Sequence, residues 1–307
     1  MLVKRALLLL FFSAHSACAG LAAYSQLIVS DSPSTARDGV RVTYLGTNGY
    51  QFESGNHVLL VDPYFSRVSL ATVLLGSRIA PDSARIADGI KHLAAKADVV
   101  LVTHGHFDHL LDVPLVMRKT GGRLVASATA VELAKRSGAP AAKCNVVVPG
   151  ASRRIGPWNV RVFAATHDRV FGSVPFNRRE PRGTGPPVHA GDWVCGEPLA
   201  FLIEIDGQRI FIDSGGTPAV LPPNEHVDLA ILGVALPDSR ERITAAIDRL
   251  HPRYVLPSHQ DNFFKPLSAG FQFGPLTDFS KVRRDCERAT AHLIVLDYFR
   301  PWTLPRK

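Results

Sequence analysis

Residues 103–109 read Thr-His-Gly-His-Phe-Asp-His, which gathers three imidazoles and one carboxylate within six positions. This stretch follows the apolar run Val99–Val102, which is typical of a buried strand. Imidazole nitrogens and carboxylate oxygens are the donors that borderline cations such as Zn²⁺ prefer in proteins. A solvated polar loop is the alternative, but packing gives no reason to cluster histidines at a strand end. The stretch therefore predicts a metal site in the loop after a strand.

Further candidate ligands occur where other predicted strands end. They are His167 after residues 158–165, Asp213 after residues 209–212, and His259 after residues 254–258. Taken singly, each is weak evidence, because strand-terminal histidines are often structural and aspartates often form turns. Loops at one rim of a sheet can nevertheless converge on a shared site. Four such ends from distant parts of the chain favour one metal site built by all of them.

Strand-like and helix-like segments are mixed through both halves of the chain. Predicted strands cover residues 40–45, 58–61, 99–102, 123–126, 158–165, 199–205, 209–212, 228–234 and 254–256. Predicted helices cover residues 83–97, 110–119, 129–137 and 240–250. Such a mixture predicts an α/β (α+β) domain in which sheets and helices form layers, extending over residues 38–307.

Composition excludes several classes of protein. The chain has 307 residues, of which 46% are hydrophobic and 20% charged, as expected for a globular protein with a sizeable core. The formal net charge of +8 permits anionic partners. Its basic residues are scattered, however, and form no stripe interleaved with aromatics, so we expect no nucleic-acid partner.

The N-terminus differs from the rest of the chain. Lys4 and Arg5 precede the apolar run Ala6–Phe12 and a series of small residues. This order is typical of a secretory signal peptide over residues 1–19, which predicts export to a periplasmic or secreted location and no transmembrane span after removal. Ser16-Ala17-Cys18 also partly fits a lipoprotein signal, so a lipid anchor on Cys18 is the alternative.

Together these residues resemble the motifs of the metallo-β-lactamase-fold hydrolase superfamily. The family motif HxHxDH stands here as His104, His106, Asp108 and His109, and the later family ligands match His167, Asp213 and His259. The early strand-terminal aspartate of the family corresponds to Asp62. The resemblance extends from about residue 40 to residue 265 and implies a four-layer αββα sandwich.

The resemblance also implies a role for each residue and a cofactor of two divalent metal ions. His104, His106 and His167 would hold one ion, and Asp108, His109 and His259 the other, with Asp213 between the two. Asp62 would orient the first histidine loop without touching a metal. Zn²⁺ is the expected metal, and the same donors also accept Mn²⁺ or Fe²⁺.

The implied activity is hydrolysis by a metal-bound hydroxide, with Asp108 and Asp213 offsetting cationic charge and relaying a proton. True zinc β-lactamases usually carry cysteine or serine where this chain has Asp213, so a β-lactam substrate is disfavoured. Segments 45–50 and 60–65 resemble the ascorbate-phosphate lactonase-like and N-acylphosphatidylethanolamine phospholipase D-like branch. Here Thr47-Asn48-Gly49 replaces the Gly-His start of that branch. The expected substrate is a small or lipid-derived ester, phosphodiester or lactone.

Two other functions remain open at this point. A redox-active diiron protein would use a similar ligand set together with an electron partner. A non-catalytic binding member of the same fold would have no need of the complete ligand set, which argues against it.

Candidate substrate residues are less specific. Arg178, Arg179 and Arg182 lie in a loop rich in glycine and proline and are suited to hold a phosphate, although a solvated basic loop has the same composition. His189 in that loop is a candidate proton donor or a surface histidine. Four phenylalanines follow His259 and either line a substrate pocket or pack in the core: Phe263, Phe264, Phe271 and Phe273.

Overall fold

The computed structural model describes residues 20–32, 38–215, 225–236 and 239–306, with the side chains of residues 239–241 left out. The predicted signal segment, residues 1–19, and Cys18 lie outside these ranges. The strands are β1 (Gly39–Gly46), β2 (Gly49–Ser54), β3 (His57–Val61), β4 (Val99–Leu101), β5 (Arg123–Ala126), β6 (Cys144–Val146), β7 (Ser152–Ile155), β8 (Trp158–Ala164), β9 (Leu199–Ile205), β10 (Gln208–Ile212), β11 (Leu229–Gly233), β12 (Tyr254–Ser258) and β13 (Trp302–Pro305).

Helices lie mainly between strands of the same sheet. They are α1 (Leu70–Leu74), α2 (Ser83–Ile90), α3 (Phe107–Leu110), α4 (Val113–Thr120), α5 (Ala128–Arg136), α6 (Ser239–Leu250) and α7 (Phe279–Arg288). Short 3₁₀ segments occur at Leu21–Leu27, Ala141–Lys143, Ala190–Asp192 and Leu267–Ala269. No helix in the described part of the chain is long and apolar enough to cross a membrane.

The strands form two sheets. The first has the order β13-β1-β2-β3-β4-β5-β6, and the second the order β12-β11-β10-β9-β8-β7. Within the first sheet β3, β4, β5 and β6 run parallel, and within the second β10, β11 and β12 do. Parallel neighbours bring the carboxyl ends of their strands to one edge of a sheet, which is the edge that can carry a shared site.

Apolar side chains bury both faces of each sheet. In β4, Val99 and Leu101 belong to the core between the sheets, and Val100 belongs to the cluster under the outer helices. A strand that is buried on both faces is a continuous apolar run, which explains the pattern before the histidine cluster. Helices α4 and α5 cover the first sheet, and α6 and α7 cover the second. The predicted four-layer αββα sandwich is confirmed.

Several predicted boundaries shift because tertiary contacts outweigh local propensity. The helix predicted over residues 83–97 ends at Ile90, and Ala94 N then donates to Gln51 Oε1 at 2.8 Å. The helix predicted over residues 110–119 begins only at Val113, as α4, and Asp112 before it accepts a hydrogen bond from the backbone amide of Phe65. The C-terminal strand β13, which pairs with β1, was not predicted at all.

Candidate metal centre

All the predicted ligands lie at, or just beyond, the carboxyl end of a strand. The histidine loop follows β4, His167 follows β8, Asp213 follows β10 and His259 follows β12. In the second sheet β8, β10 and β12 point the same way, because β9 is antiparallel to both β8 and β10. Strand direction therefore delivers residues from distant parts of the chain to one rim.

The first group of donors consists of His104, His106 and His167. Their donor atoms lie within 4.8 Å of one another. His104 Nε2 is 2.9 Å from His106 Nδ1, so both nitrogens face the same point. His167 Nδ1 lies 2.7 Å from the carbonyl oxygen of Asp168. This bond places the ring hydrogen on Nδ1 and leaves the lone pair of Nε2 available for a metal. Three neutral nitrogens arranged in this way suit a borderline cation.

The second group consists of Asp108, His109 and His259, whose donor atoms also lie within 4.8 Å of one another. Asp108 Oδ2 is 3.1 Å from His259 Nε2 and 3.4 Å from His109 Nε2. The two groups adjoin, since the ring centroids of His104 and His109 are 4.1 Å apart. The structure thus brings six of the predicted ligands together as two adjacent triads.

The local sequence explains how one loop serves both triads. Gly105 passes so close to the Val194 carbonyl oxygen that a Cβ atom would overlap it. His106 is the N-cap residue of α3 and has an extended backbone, which separates it from the helical turn that follows. Asp108 and His109 then lie in the first turn of α3 and point to the other triad. The spacing His-Gly-His-Phe-Asp-His places its donors on two sides of this bend.

Asp213 belongs to neither triad, yet its contacts leave one oxygen for a cation. Asp213 Oδ1 accepts hydrogen bonds from Gly215 N at 3.1 Å, Gly233 N at 3.0 Å and Arg242 Nη1 at 2.8 Å. Asp213 Oδ2 is buried and has no hydrogen-bond partner among the described residues. A buried carboxylate oxygen without a donor is costly unless something else satisfies it. The donor set therefore fits a bound cation beside Asp213.

Asp62 lies at the end of β3 and orients the ligands from behind. Its carboxylate accepts from Thr103 N at 2.8 Å, from Thr103 Oγ1 at 2.6 Å and from Asn48 Nδ2 at 2.9 Å. His109 Nδ1 lies 2.8 Å from Asp62 Oδ2, which fixes the tautomer that leaves Nε2 free. Asp62 has φ of 40°, a left-handed conformation that a network of this kind can hold.

The ionisable groups of the centre differ in charge. Burial and the neighbouring histidines hold the pKa of His104 well below its usual value, and burial lowers the pKa of His167 to about 4. Neutral imidazole is the form that binds a metal. Burial disfavours charge on His109, but Asp108 and Asp62 outweigh it and raise the pKa of His109 to about 10. The carboxylates of Asp108 and Asp62 thus favour a proton on His109, and a bound cation can offset the same negative charge in its place.

Three polar residues beside the centre were missed by the sequence analysis. Ser214 Oγ lies 3.2 Å from His104 Nδ1, and Asn48 binds Asp62. Arg242, buried in α6, pairs with Asp213 at 2.8 Å and lies 3.7 Å from Asp168 Oδ2. Of the three, only Asn48 had a signal in the sequence, because Thr47-Asn48-Gly49 replaces the Gly-His start of the branch that the chain resembles. An arginine in an amphipathic helix carries no sign that it points inward.

The predicted substrate residues contact the backbone of neighbouring loops. Arg178 Nη2 donates to the Gly191 carbonyl at 2.7 Å, and His189 Nδ1 lies 3.0 Å from the Gly76 carbonyl oxygen. Arg179 and Arg182 are exposed in the same loop. Their role in substrate binding stays a prediction.

The four phenylalanines after His259 divide into two pairs. Phe263 meets the His259 ring edge to face, with centroids 4.9 Å apart, and stacks on Phe264 at 4.1 Å. Phe271 and Phe273 instead pack against the core under the second sheet. The packing interpretation therefore applies to Phe271 and Phe273. Phe263 and Phe264 are partly buried against the cluster under the first sheet, and their role in a substrate pocket stays a prediction.

Fold and donor arrangement together define the metallo-β-lactamase class of metal-dependent hydrolases. A family model described as a beta-lactamase superfamily domain matches residues 41–259, and the chain belongs to this family. It is 27% identical to a UPF0173 metal-dependent hydrolase of Pelotomaculum thermopropionicum, over 73% of this chain and 86% of that protein. It is also 27% identical to one of Aeropyrum pernix, over 73% of this chain and 83% of that protein.

Solved structures show the same fold. Igni18, a metallo hydrolase from Ignicoccus hospitalis, superposes with a TM-score of 0.56 at 18% identity and covers 88% of this chain and 100% of its own. The metallo-beta-lactamase fold protein YhfI from Bacillus subtilis superposes with a TM-score of 0.55 at 14% identity, over 86% of this chain and 99% of its own. CmlA, a diiron beta-hydroxylase from Streptomyces venezuelae, superposes with a TM-score of 0.52 at 16% identity, over 90% of this chain and 55% of its own.

Asp62→Asn is expected to lower metal affinity about 10- to 100-fold, because the amide weakens the bond that holds His109. Competition against a chromophoric chelator measures the affinity. Asp98→Asn is the matched control, since Asp98 also faces a histidine, His57, at 3.1 Å, but at the opposite end of β4. Equal losses of affinity in both variants would contradict the role of Asp62.

Proposed function

We propose that the protein is a dinuclear metal-dependent hydrolase that cleaves an ester, phosphodiester or lactone bond in a small or lipid-derived substrate. The observation that carries this proposal is the pair of adjacent three-donor groups, with ring centroids of His104 and His109 4.1 Å apart. Two cations held by these adjacent groups would be able to act on one substrate and one water, which is the arrangement used by many two-metal hydrolases. Zn²⁺ is the proposed metal at both positions.

Each part of the chain contributes a separate function to this chemistry. Divalent cations, when bound, lower the pKa of water and polarise the substrate oxygen. Asp108 and Asp213 would place negative charge beside the cations, and Asp213 Oδ2 is buried with no hydrogen-bond donor among the described residues. Asp62 and Arg242 hold two of the ligands in place through hydrogen bonds of 2.8 Å. A rigid donor set lowers the reorganisation needed in the transition state.

The residue at position 213 supports a substrate other than a β-lactam. Asp213 stands where true zinc β-lactamases usually have cysteine or serine. Three donors fix Oδ1 of this carboxylate and leave Oδ2 to serve as a ligand, which suits a position between two cations. This chemistry is shared by esterase-, lactonase- and phosphodiesterase-like members of the superfamily.

Aromatic side chains support a substrate with an apolar group. Phe263 contacts the ring of His259 with centroids 4.9 Å apart, and Phe176 contacts the ring of His106 at 6.0 Å, both edge to face. Both side chains are only partly buried. Each triad therefore has an aromatic ring beside it, against which an acyl or aryl substituent of the substrate can bury apolar surface.

We also propose that the protein is exported. The basic residues, apolar run and small residues of the segment 1–19 support this proposal. Mass spectrometry of protein recovered from its native host is expected to show loss of that segment. An intact N-terminus would contradict export with cleavage, and a lipid on Cys18 would establish the anchored alternative.

A hydrolysis screen on metal-quantified protein tests the activity. Phosphodiesters, thioesters, lactones and β-lactams are offered as chromogenic substrates, and turnover is expected in at least one of the first three classes. His106→Ala is expected to lose at least about 100-fold in kcat/KM, because a missing ligand weakens metal binding at least as much as a missing outer contact.

His226→Ala is the control, since His226 is an exposed histidine away from the triads. Chelator treatment should abolish turnover of the wild type, and added Zn²⁺ should restore it. Equal turnover by His106→Ala would contradict the proposed mechanism. Two irons per chain with visible absorption would instead support a redox-active diiron protein.

Phe263→Ala is expected to weaken selectivity for long acyl chains. Each buried methylene contributes about 0.8 kcal/mol, so kcat/KM of the wild type should rise with chain length and that of the variant should rise less. A series of p-nitrophenyl esters measures both slopes. Phe273→Ala is the matched control, because Phe273 packs in the core beside Phe279. An unchanged slope in Phe263→Ala would exclude this wall from the substrate site.

A further inference from the structure

A buried ion pair lies behind the second triad. Arg67 Nη1 is 2.7 Å from Asp261 Oδ2, and both side chains are 0% exposed. Arg67 Nε and Nη2 have no hydrogen-bond acceptor among the described residues. Taking two charges out of water costs about as much as their attraction returns, so such a pair adds little to stability by itself. It is better explained by what it holds in place.

Asp261 ties the turn between β1 and β2 to the loop of His259. Asp261 Oδ1 accepts from Thr47 N at 2.9 Å and lies 3.0 Å from the hydroxyl of Tyr44. The carbonyl oxygen of Thr47 in turn accepts from His259 N at 2.7 Å. The carboxylate that pairs with Arg67 is therefore connected to the backbone amide of the predicted ligand His259 through a single residue, Thr47.

Both residues joined by this contact have strained backbones. Thr47 has φ of 56° and His259 has φ of 53°. Left-handed conformations of residues other than glycine cost on the order of 1–3 kcal/mol each, and they persist only where the surroundings enforce them. The hydrogen bond from Thr47 N to the charged Asp261 supplies that enforcement, because bonds to ionised acceptors are stronger than neutral ones.

The same turn also reaches the other histidine of the second triad. Asn48 Oδ1 accepts from Ser258 Oγ at 2.7 Å, and Asn48 Nδ2 donates to Asp62 Oδ2 at 2.9 Å. Asp62 is the residue that orients His109. Through Thr47 and Asn48, one turn thus contacts the supports of both His259 and His109.

Close packing holds the guanidinium against this turn. Gly46 has φ of 89°, and a Cβ atom there would overlap Arg67 Nη2. On its other side Arg67 faces the ring of Tyr298 at 5.7 Å, and the Tyr298 hydroxyl donates to Asp261 Oδ2 at 2.6 Å. The ion pair therefore has one arrangement in which the turn, the aromatic ring and the carboxylate all fit.

We propose that the Arg67–Asp261 pair is a positioning element for one half of the metal centre. It sets the Asp108–His109–His259 triad for its ion through Thr47, whose carbonyl oxygen accepts from the His259 amide. It reaches the His104–His106–His167 triad only through the longer series Asn48, Asp62 and Thr103, so the metal affinity of that triad is expected to stay unchanged. This inference rests on the proposed two-ion site. Neither Arg67 nor Asp261 belongs to either donor group.

Metal titration of Asp261→Asn tests the proposal without reference to activity. Zn²⁺ bound per chain is measured by elemental analysis after equilibrium dialysis, and stepwise affinities by chelator competition. The wild type is expected to bind two ions. In Asp261→Asn one ion is expected to bind with unchanged affinity and the other about 10- to 100-fold more weakly.

A double-mutant cycle assigns the weakened ion. Asp261→Asn combined with His259→Ala should lose no more affinity than His259→Ala alone, since both act on one site. Combined with His167→Ala, its effect should be additive. Tyr298→Phe removes one donor to Asp261 and keeps the ring, so it serves as a milder variant that should shift the same ion in the same direction.

Gln208→Leu is the matched structural control. Gln208 is also buried, accepts from Val40 N at 2.7 Å and donates to Leu304 O at 2.9 Å, at the amino end of β10. It should lower the free energy of unfolding and leave both metal affinities unchanged.

Three outcomes would overturn the inference. In the first, the affinities for both ions fall equally in Asp261→Asn, and in the second neither affinity changes. In the third, the affinity loss of Asp261→Asn is additive with that of His259→Ala and not with that of His167→Ala. A metal content in His259→Ala equal to that of the wild type would also overturn it. That last result refutes the two-ion site as well, whereas the first three leave the proposed hydrolase intact.

Discussion

The carboxylate of Asp62 is the constraint on which the metal centre depends. It stands at the end of β3, next to the parallel strand β4, and receives two hydrogen bonds from Thr103, which directly precedes the histidine loop. The same carboxylate holds His109 and Asn48. Since Asp62 is 0% exposed, water does not compete for these bonds, and a single buried charge aligns two strands with the loop that carries the ligands.

The two triads are supported by different means. In the first triad, His167 lies beside the carbonyl oxygen of the adjacent Asp168, and His104 lies beside the hydroxyl of Ser214, which is 110 positions away. Asp108, His109 and His259 depend on contacts between residues far apart in the chain, through Asp62 and the turn after β1. Each triad nevertheless combines residues that follow strands of both sheets, so the centre forms only when the sheets are packed, and metal binding and folding are coupled.

Elements whose signal lies in their own residues were predicted well. The strand before the histidines and the strands predicted over residues 199–205 and 209–212 occur where expected. Elements that depend on partners were not. Helix α2 ends early where a side chain from β2 binds the following backbone, and β13 exists because β1 offers it an edge. A local pattern cannot indicate a contact between residues more than 200 positions apart, such as Asp261 with Thr47.

The sequence by itself determined the class of chemistry. Three histidines and an aspartate at that spacing after a buried strand have no packing explanation, and imidazole and carboxylate donors select a divalent cation. Only the tertiary structure decided how the donors divide into two triads, which oxygen of Asp213 is left for a cation, and which phenylalanines reach the site. These depend on the direction of strands from two sheets and on buried charges such as Arg67 and Arg242. The identity of a charged residue does not indicate which distant side chain will form an ion pair with it.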